Sequence, residues 1–573
     1  MGAPPAARAV CLCICVCFFL VAASCLHPTS FAQTEVTQPA NRLAVVALHN
    51  GASISPDQVL HFDSAGNQFA TLASPSGLKP ELGIRLESRF RLTRQQAGQH
   101  ILGRQGTASI YVDSQNRIRA LLWTDEGKPS LITEKPISLN EWHTVVLDYR
   151  PDGYLKVFID GQEAGIALAC GTLKSPPGDF VAGRWEWEEN GKPRSAYASG
   201  DFSTICLGPS QEKPRSPSDR APRLAQHFSW GDMILFGQAD TKARIRETLE
   251  KAKARSVQVA HWRVDDYVLK TYHQFIPEEQ QAEYIRKYRR IIDAVYKEFD
   301  PTLEAVRVGH ELGLKVYGWQ CIFDEGAPPT VKYADTSPFP WQSKFTIAHP
   351  EFCVADRNGA RQWGVMEYAY PEVRSYKVAQ IIAVTKRFGL DGVFISTRSH
   401  SEPALQADRF GFNDPIVQEF KRRYGQDIRT EDFDREKWRR LRGEYLTQFL
   451  RELRAALPKD KRLCIGVPRG DYFGPPFGNM FIDWRTWVAE RLVDEVVVGE
   501  ITGVRGLYPK RKSYEGYLFD QEAGTGLAPV EEDVRDKYGP ACKTAGVELY
   551  VHSSPLAPWV WPLLDRGLTG LRF

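Results

Sequence analysis

The chain has 573 residues, more than one hydrophobic core organises, so several domains are expected. Hydrophobic residues make up 43%, and 73 Lys and Arg stand against 70 Asp and Glu. This is ordinary globular composition, and with no basic run or basic helix it excludes a nucleic-acid partner held through phosphates.

The N-terminus speaks to compartment. Arg8 precedes an apolar run, Ala9 to Ala23, too short to span a bilayer comfortably. Ser30-Phe31-Ala32 before Gln33 supplies small residues at cleavage spacing. Residues 1–32 therefore read as a signal peptide, and a secreted or periplasmic protein is expected. Val21-Ala22-Ala23-Ser24-Cys25 loosely resembles a lipoprotein box but lacks the usual Leu, which ranks anchoring through Cys25 second. No later stretch is apolar enough for a membrane helix.

Six cysteines follow Cys25: Cys170, Cys206, Cys321, Cys353, Cys464 and Cys542. None forms a CxxC pair or a Cys/His cluster at zinc spacing, so no metal or cofactor is expected. Cys170 and Cys206 fall in one small domain. A disulfide made after export and two buried thiols both fit.

From Val59 to Pro209 short runs alternate apolar and polar residues between turn signals. Asn140 to Tyr149, the turn Arg150-Pro-Asp-Gly153, and Tyr154 to Ile159 read as a β-hairpin, with a second turn at Asp160-Gly161. Further strands are expected at Val59–Phe62, Gly83–Leu92, Ser109–Val112, Arg117–Trp123 and Thr204–Leu207, making an all-β sandwich over residues 41–212. Trp142-His143, Asp152-Gly153 and Val157-Phe-Ile-Asp-Gly161 resemble the laminin-G/concanavalin-like lectin superfamily. That resemblance implies a jelly-roll sandwich and leaves its ligand open, because the fold serves glycan binders, protein binders and spacers. Calcium in this domain lacks any ligand motif.

Residues 213–226 are polar and Pro-rich, and read as a linker. Beyond them, over 227–573, apolar runs alternate with helical patterns. Strands are expected at Met233–Phe236, Val257–Trp262, Lys315–Trp319, Gly392–Ser396, Leu463–Val467, Glu495–Val498, Glu548–Val551 and Leu568–Leu571. Helices are expected at Thr241–Ala254, Glu372–Phe388 and Glu436–Leu457. Eight strands with crossovers predict a (β/α)8 TIM-like barrel.

His310-Glu-Leu-Gly-Leu-Lys-Val-Tyr-Gly-Trp319, His349-Pro-Glu-Phe352, Tyr370-Pro-Glu-Val-Arg-Ser-Tyr376, Phe388-Gly-Leu-Asp-Gly-Val-Phe394 and Gly411-Phe-Asn-Asp-Pro415 together resemble the bacterial family-10-like glycosyl hydrolases. The resemblance implies a glycan-active barrel. It also implies an acid at the end of the fourth strand, where this chain has Ser396, Thr397 and Arg398.

In such barrels the chemistry sits at the C-terminal strand ends. Those ends carry His261, Trp262, Arg263 and Asp266, then Gln320, Asp324 and Glu325, then Arg398, His400 and Glu402, then Arg469 and Asp471, then Glu500, then His552. Glycoside hydrolysis needs two carboxyls. Glu500, after three valines, is expected to be the general acid, and Asp471 its partner across the mouth. A structural carboxylate and a turn cap are the competing readings. Arg263, Asp266, Trp319, Arg398, His400, Glu402, Arg469 and His552 are expected to bind substrate. Three arginines at one face suit an anionic polysaccharide, whereas a surface salt bridge is the alternative for each. Trp262, Trp341, Trp363 and Tyr472 could stack sugar rings or simply pack. An exported hydrolase with an accessory sandwich is the leading expectation. A non-catalytic glycan or cell-surface binder on a degenerate barrel, and a lyase acting on uronates, stand beside it.

Overall fold

Two antiparallel sheets arise where the sequence alternates most cleanly. The strand Ile84–Leu92 points Ile84, Leu86, Phe90 and Leu92 inward at 0–1% exposure, with Arg85, Glu87, Arg89 and Arg91 on the other face. One sheet runs in the spatial order Gln162–Leu168, Tyr154–Ile159, His143–Tyr149, Ile84–Leu92, Gly200–Gly208, Leu60–Phe62, Ser53–Ile54, with Asn41–Arg42 beside Gly200–Gly208. The other runs Ser130–Pro136, Arg117–Leu122, Ala108–Val112, Gln99–Arg104, Phe180–Ala182, Phe69–Leu72, Val45–His49. Their inner faces share one hydrophobic core. The Asp160-Gly161 turn is a two-residue hairpin loop, with φ of 52° and 79°, which its Asp-Gly sequence accommodates. Asp160 also accepts from Thr144 N–H (2.8 Å) and bonds His143 Nδ1 (2.8 Å), which ties the Trp142-His143 strand start to the Asp160-Gly161 turn.

This computed structural model describes residues 41–573 except 74–78, 97, 126, 169–170, 190–191, 215–220, 265–282, 326–341, 398–406, 475–477, 501–516, 519–529 and 554–559. The described residues belong to one compact unit. The expected signal peptide and Cys25 lie outside them, as does Cys170. Cys206 carries a free thiol. Among the described residues no helix is long and apolar enough to cross a membrane.

The C-terminal half is a closed barrel of eight strands, every neighbouring pair parallel: Arg223–Phe228, Val257–Arg263, Lys315–Cys321, Gly392–Ser396, Arg462–Val467, Glu495–Val498, Glu548–His552 and Gly570–Arg572. Helices lie in the connections, among them Lys242–Ala254, Pro301–Glu311, Pro371–Phe388 and Arg435–Ala456. The first strand departs from the sequence reading. It is Arg223–Phe228, which begins in the segment read as linker and runs two residues past it, while the apolar run Met233–Phe236 falls in and just after a short helix, Trp230–Leu235. Gln226 and His227 interrupt the apolar pattern that would have marked the strand.

The barrel interior holds Ala225, Val259, Tyr317, Trp319, Cys321, Phe394, Cys464, Val497 and Tyr550, and the outward-facing residues pack beneath the helices. Its N-terminal end is closed by charge. Arg462 bonds Glu495 (2.9 Å) and pairs with Glu548 (2.9 Å), Arg223 also pairs with Glu548 (2.9 Å), and Tyr317 Oη donates to Glu495 (2.7 Å). Burial pushes the Glu495 carboxyl above its usual range, and Tyr317 and Arg462 oppose that shift. The sandwich meets the barrel where Tyr154 sets its ring edge-on to Trp561, 5.6 Å between centroids.

Candidate functional site

The opposite, C-terminal end of the barrel interior gathers the polar side chains. At its floor lies Trp319, 2% exposed. Two guanidinium groups sit against this indole: Arg263 from strand two at 5.5 Å and Arg572 from strand eight at 5.6 Å. His227 from strand one meets the same ring edge-on at 5.4 Å, and His552 from strand seven lies 6.3 Å from His227.

Each arginine carries a carboxylate. Arg572 Nη1 lies 3.4 Å from Glu500 Oε1, and Arg263 Nη2 lies 3.7 Å from Asp324 Oδ2. Glu500 and Asp324 are thereby brought to the arginines that flank Trp319. Both are sheltered, Glu500 at 2% residue exposure and Asp324 at 6% of its side chain.

Glu500 owes its position to strands four and five. Ser396 Oγ donates to Glu500 Oε1 (2.9 Å) and Thr397 N–H donates to Oε2 (3.1 Å). Thr397 Oγ1 is itself held on the Gly466 carbonyl (2.8 Å). The carboxylate crosses over Gly466, where a Cβ would collide with Oε2, stand 2.7 Å from Glu500 Cδ and 2.9 Å from Phe394 Cζ. Ser396 and Thr397 replace the acid that the family resemblance implied at the end of strand four. A carboxylate from strand six bonds to those same two residues.

Beneath this group lies His261, 1% exposed, its imidazole stacked 4.3 Å from Phe394 and 5.6 Å from Tyr317. Burial, reinforced by Arg572 and then His227, holds its pKa well below the usual histidine range, so it is neutral.

The other expected residues go elsewhere. Asp471, expected opposite Glu500, turns onto the helix Trp484–Ala489, accepting from Trp484 Nε1 (2.9 Å) and Arg485 Nη1 (2.9 Å). Arg469 pairs with Asp533, which Lys537 also holds (2.8 Å). Trp262 faces outward into the core beneath the helices, and Tyr472 Oη donates to Glu436 (2.9 Å). Trp363 lies on the side hairpin Cys353–Ala355/Arg361–Met366. Asp266, Arg398, His400, Glu402 and Trp341 lie outside the described residues. Sequence reasoning missed His227 and Arg572, because one lay just past the supposed linker, ahead of the expected first strand, and the other just past the expected last strand. Among the described residues no group of His, Cys, Asp and Glu is placed to hold a metal ion.

Comparison with known proteins agrees with this architecture. Residues 65–196 match a family model described as the concanavalin A-like lectin/glucanases superfamily, and residues 296–501 match glycosyl hydrolase-like 10. The laminin-G/concanavalin-like domain followed by a family-10-like glycosyl hydrolase domain, read from the sequence, is the arrangement these matches give. The second match takes in barrel strands three to six and Glu500. No curated protein matches the chain. Among solved structures, the chain is similar to a candidate carbohydrate binding protein from Bacteroides ovatus ATCC 8483, at 16% identity and a TM-score of 0.21, over 24% of this chain and 40% of that one. It is also similar to the binding domain of botulinum neurotoxin DC in complex with SialylT, at 10% identity and a TM-score of 0.23, over 30% and 44%. The chain thus spans less than half the length of either, and at these scores the likenesses carry no functional weight.

Proposed function

We propose that the C-terminal half is a (β/α)8 glycan-active barrel that hydrolyses glycosidic bonds of a polysaccharide, with the sandwich as its accessory glycan-holding domain. The observation that carries this reading is the pair of carboxylates, Glu500 and Asp324, held by Arg572 and Arg263 against the Trp319 ring. An indole floor suits the apolar face of a sugar, and two carboxyls, each paired with an arginine that lies against that indole, supply the groups the reaction requires. Glu500 accepts from three donors and fits the carboxylate that stabilises, or attacks, the anomeric carbon. Proton donation to the leaving oxygen then falls to Asp324. The Glu500–Asp471 pair is replaced in this reading by Glu500–Asp324.

Charge at the site is nearly compensated, because each arginine has its own carboxylate. An anionic substrate would have to be read by His227 and His552 together with those arginines, which makes a neutral glycan the better fit. The test is a polysaccharide panel with detection of new reducing ends and of unsaturated uronates. New reducing ends that vanish in Asp324→Asn support the reading. Unsaturated products would move the protein to the lyases. A specific observation favours a second reading: Glu500 is only 2% exposed and already ion-paired, as expected of a binding protein on a degenerate barrel. Binding without turnover of any glycan would select it.

Gly466→Ala gives a finer check on the geometry. Its methyl group takes the space of the Glu500 carboxylate, so turnover should fall at least tenfold, about 1.4 kcal/mol of transition-state stabilisation. Rates and the affinity for the same glycan would be measured together; unchanged rates would show that the carboxylate position does not matter.

A further inference from the structure

We propose that the outer face of the seven-stranded sheet carries a second glycan site, a ledge that takes the apolar face of a neutral pyranose ring. It rests on the reading of the sandwich as the glycan-holding half, and not on the chemistry of the barrel.

Strand register places His100, Tyr111 and Arg119 directly opposite one another on three adjacent strands. They lie away from the core, whose inner face is filled from the same strands by residues such as Ile110, Val112, Ile118 and Ala120. The hairpin Arg184–Glu189/Lys192–Tyr197 folds back over this row, with Ala196 Cβ in ordinary contact with the Cβ position of Gly98 (3.4 Å). From it Trp185 reaches His100 (5.3 Å between ring centroids), Tyr111 (6.4 Å, 15° from parallel) and Trp123 (5.6 Å).

Rings that served only to pin the hairpin would be expected to be covered. Tyr111, Trp123 and Trp185 are instead all half-buried, so apolar ring surface stays open to solvent beside polar groups. Arg119 Nη1 donates to Tyr111 Oη (3.3 Å), and its buried Nε has no hydrogen-bond partner. His100 bonds Ser109 Oγ through Nε2 (2.7 Å), while its buried Nδ1 has no hydrogen-bond partner. Burial, and then Arg184, push the imidazole down to about 3, so His100, 1% exposed, is a neutral ring that backs the ledge. Open aromatic faces bordered by a guanidinium and a phenol match a sugar ring, whose C–H face stacks while its hydroxyls bond at the rim. The sugar should be neutral, because Asp113 already lies 2.9 Å from Arg117 and 4.0 Å from Arg119.

The experiment compares the full chain with Trp123→Ala and Arg119→Ala by calorimetric titration against soluble neutral polysaccharides: galactomannan, xylan and mixed-linkage glucan. Each variant should lose at least tenfold in affinity, keep the wild-type unfolding midpoint, and turn over a short soluble oligosaccharide at the wild-type rate. Trp fluorescence of the wild type should change on saturation. Wild-type affinity in both variants, or no polysaccharide bound by the wild type, would overturn the proposal. Binding that both variants lose, in a protein that cleaves nothing, would uphold the ledge while removing the hydrolase reading. Should Trp123→Ala fail to fold, Arg119→Ala decides, since its guanidinium lies outside the core.

Discussion

Glu500→Gln should lower turnover of any glycan the protein cleaves by about two orders of magnitude or more, with binding of that glycan retained. The amide keeps an acceptor for Ser396 Oγ or Thr397 N–H, so the strand ends stay in register. It removes the charge that would face the anomeric carbon. It also removes the counter-ion of Arg572, which is 1% exposed and rests on Phe394 at 4.4 Å. Leaving a buried cation without its carboxylate lowers stability, so rates must be compared well below the unfolding midpoint of the variant. Retained far-ultraviolet circular dichroism together with lost turnover would locate the defect in chemistry. Full activity in the variant would remove Glu500 from the mechanism.

Most of the fold was legible because its elements are simple in period. The hairpin around Asp160-Gly161, the helices beginning near Pro371 and Glu436, and the strands Gly392–Ser396 and Glu495–Val498 stand where alternation, capping and apolar runs placed them. The first barrel strand was misplaced, and the last was ended one residue short, for one physical reason. His227 and Arg572 point into the barrel, where an apolar residue would have completed the pattern. Side chains that serve a site disturb the periodicity by which strands are recognised. The place of Glu500 at the barrel's C-terminal end was legible because the valines before it kept that periodicity intact. The second carboxylate of the proposed pair was not, because Asp324 and Asp471 are equivalent as letters after strand ends. Only the structure shows one beside Arg263 and the other engaged by Trp484 and Arg485.

The largest expected loss of stability lies outside the site. Arg442→Met should destabilise the protein by about 3–5 kcal/mol at neutral pH. Arg442, on the helix Arg435–Ala456, is 1% exposed and stacks on Trp438 at 4.9 Å, and it is the cation that acts on Glu367, itself 3% exposed. Burial raises the pKa of Glu367, and Arg442 holds it back down. A carboxyl whose folded pKa is raised binds its proton more tightly in the native state than in the unfolded chain. Its contribution to stability therefore grows as pH falls through the folded pKa, and is lost as pH rises through it. Removing Arg442 lifts that pKa further, so the deficit should be greatest at neutral pH and shrink toward about pH 4, near the unfolded value. Denaturant unfolding at several pH values measures this. Adding Glu367→Gln to the variant should recover part of the loss at neutral pH and flatten the pH dependence, because the buried charge is then gone. A deficit constant across that range, with no recovery in the double variant, would mean that Arg442 acts through packing on Trp438 and not through charge.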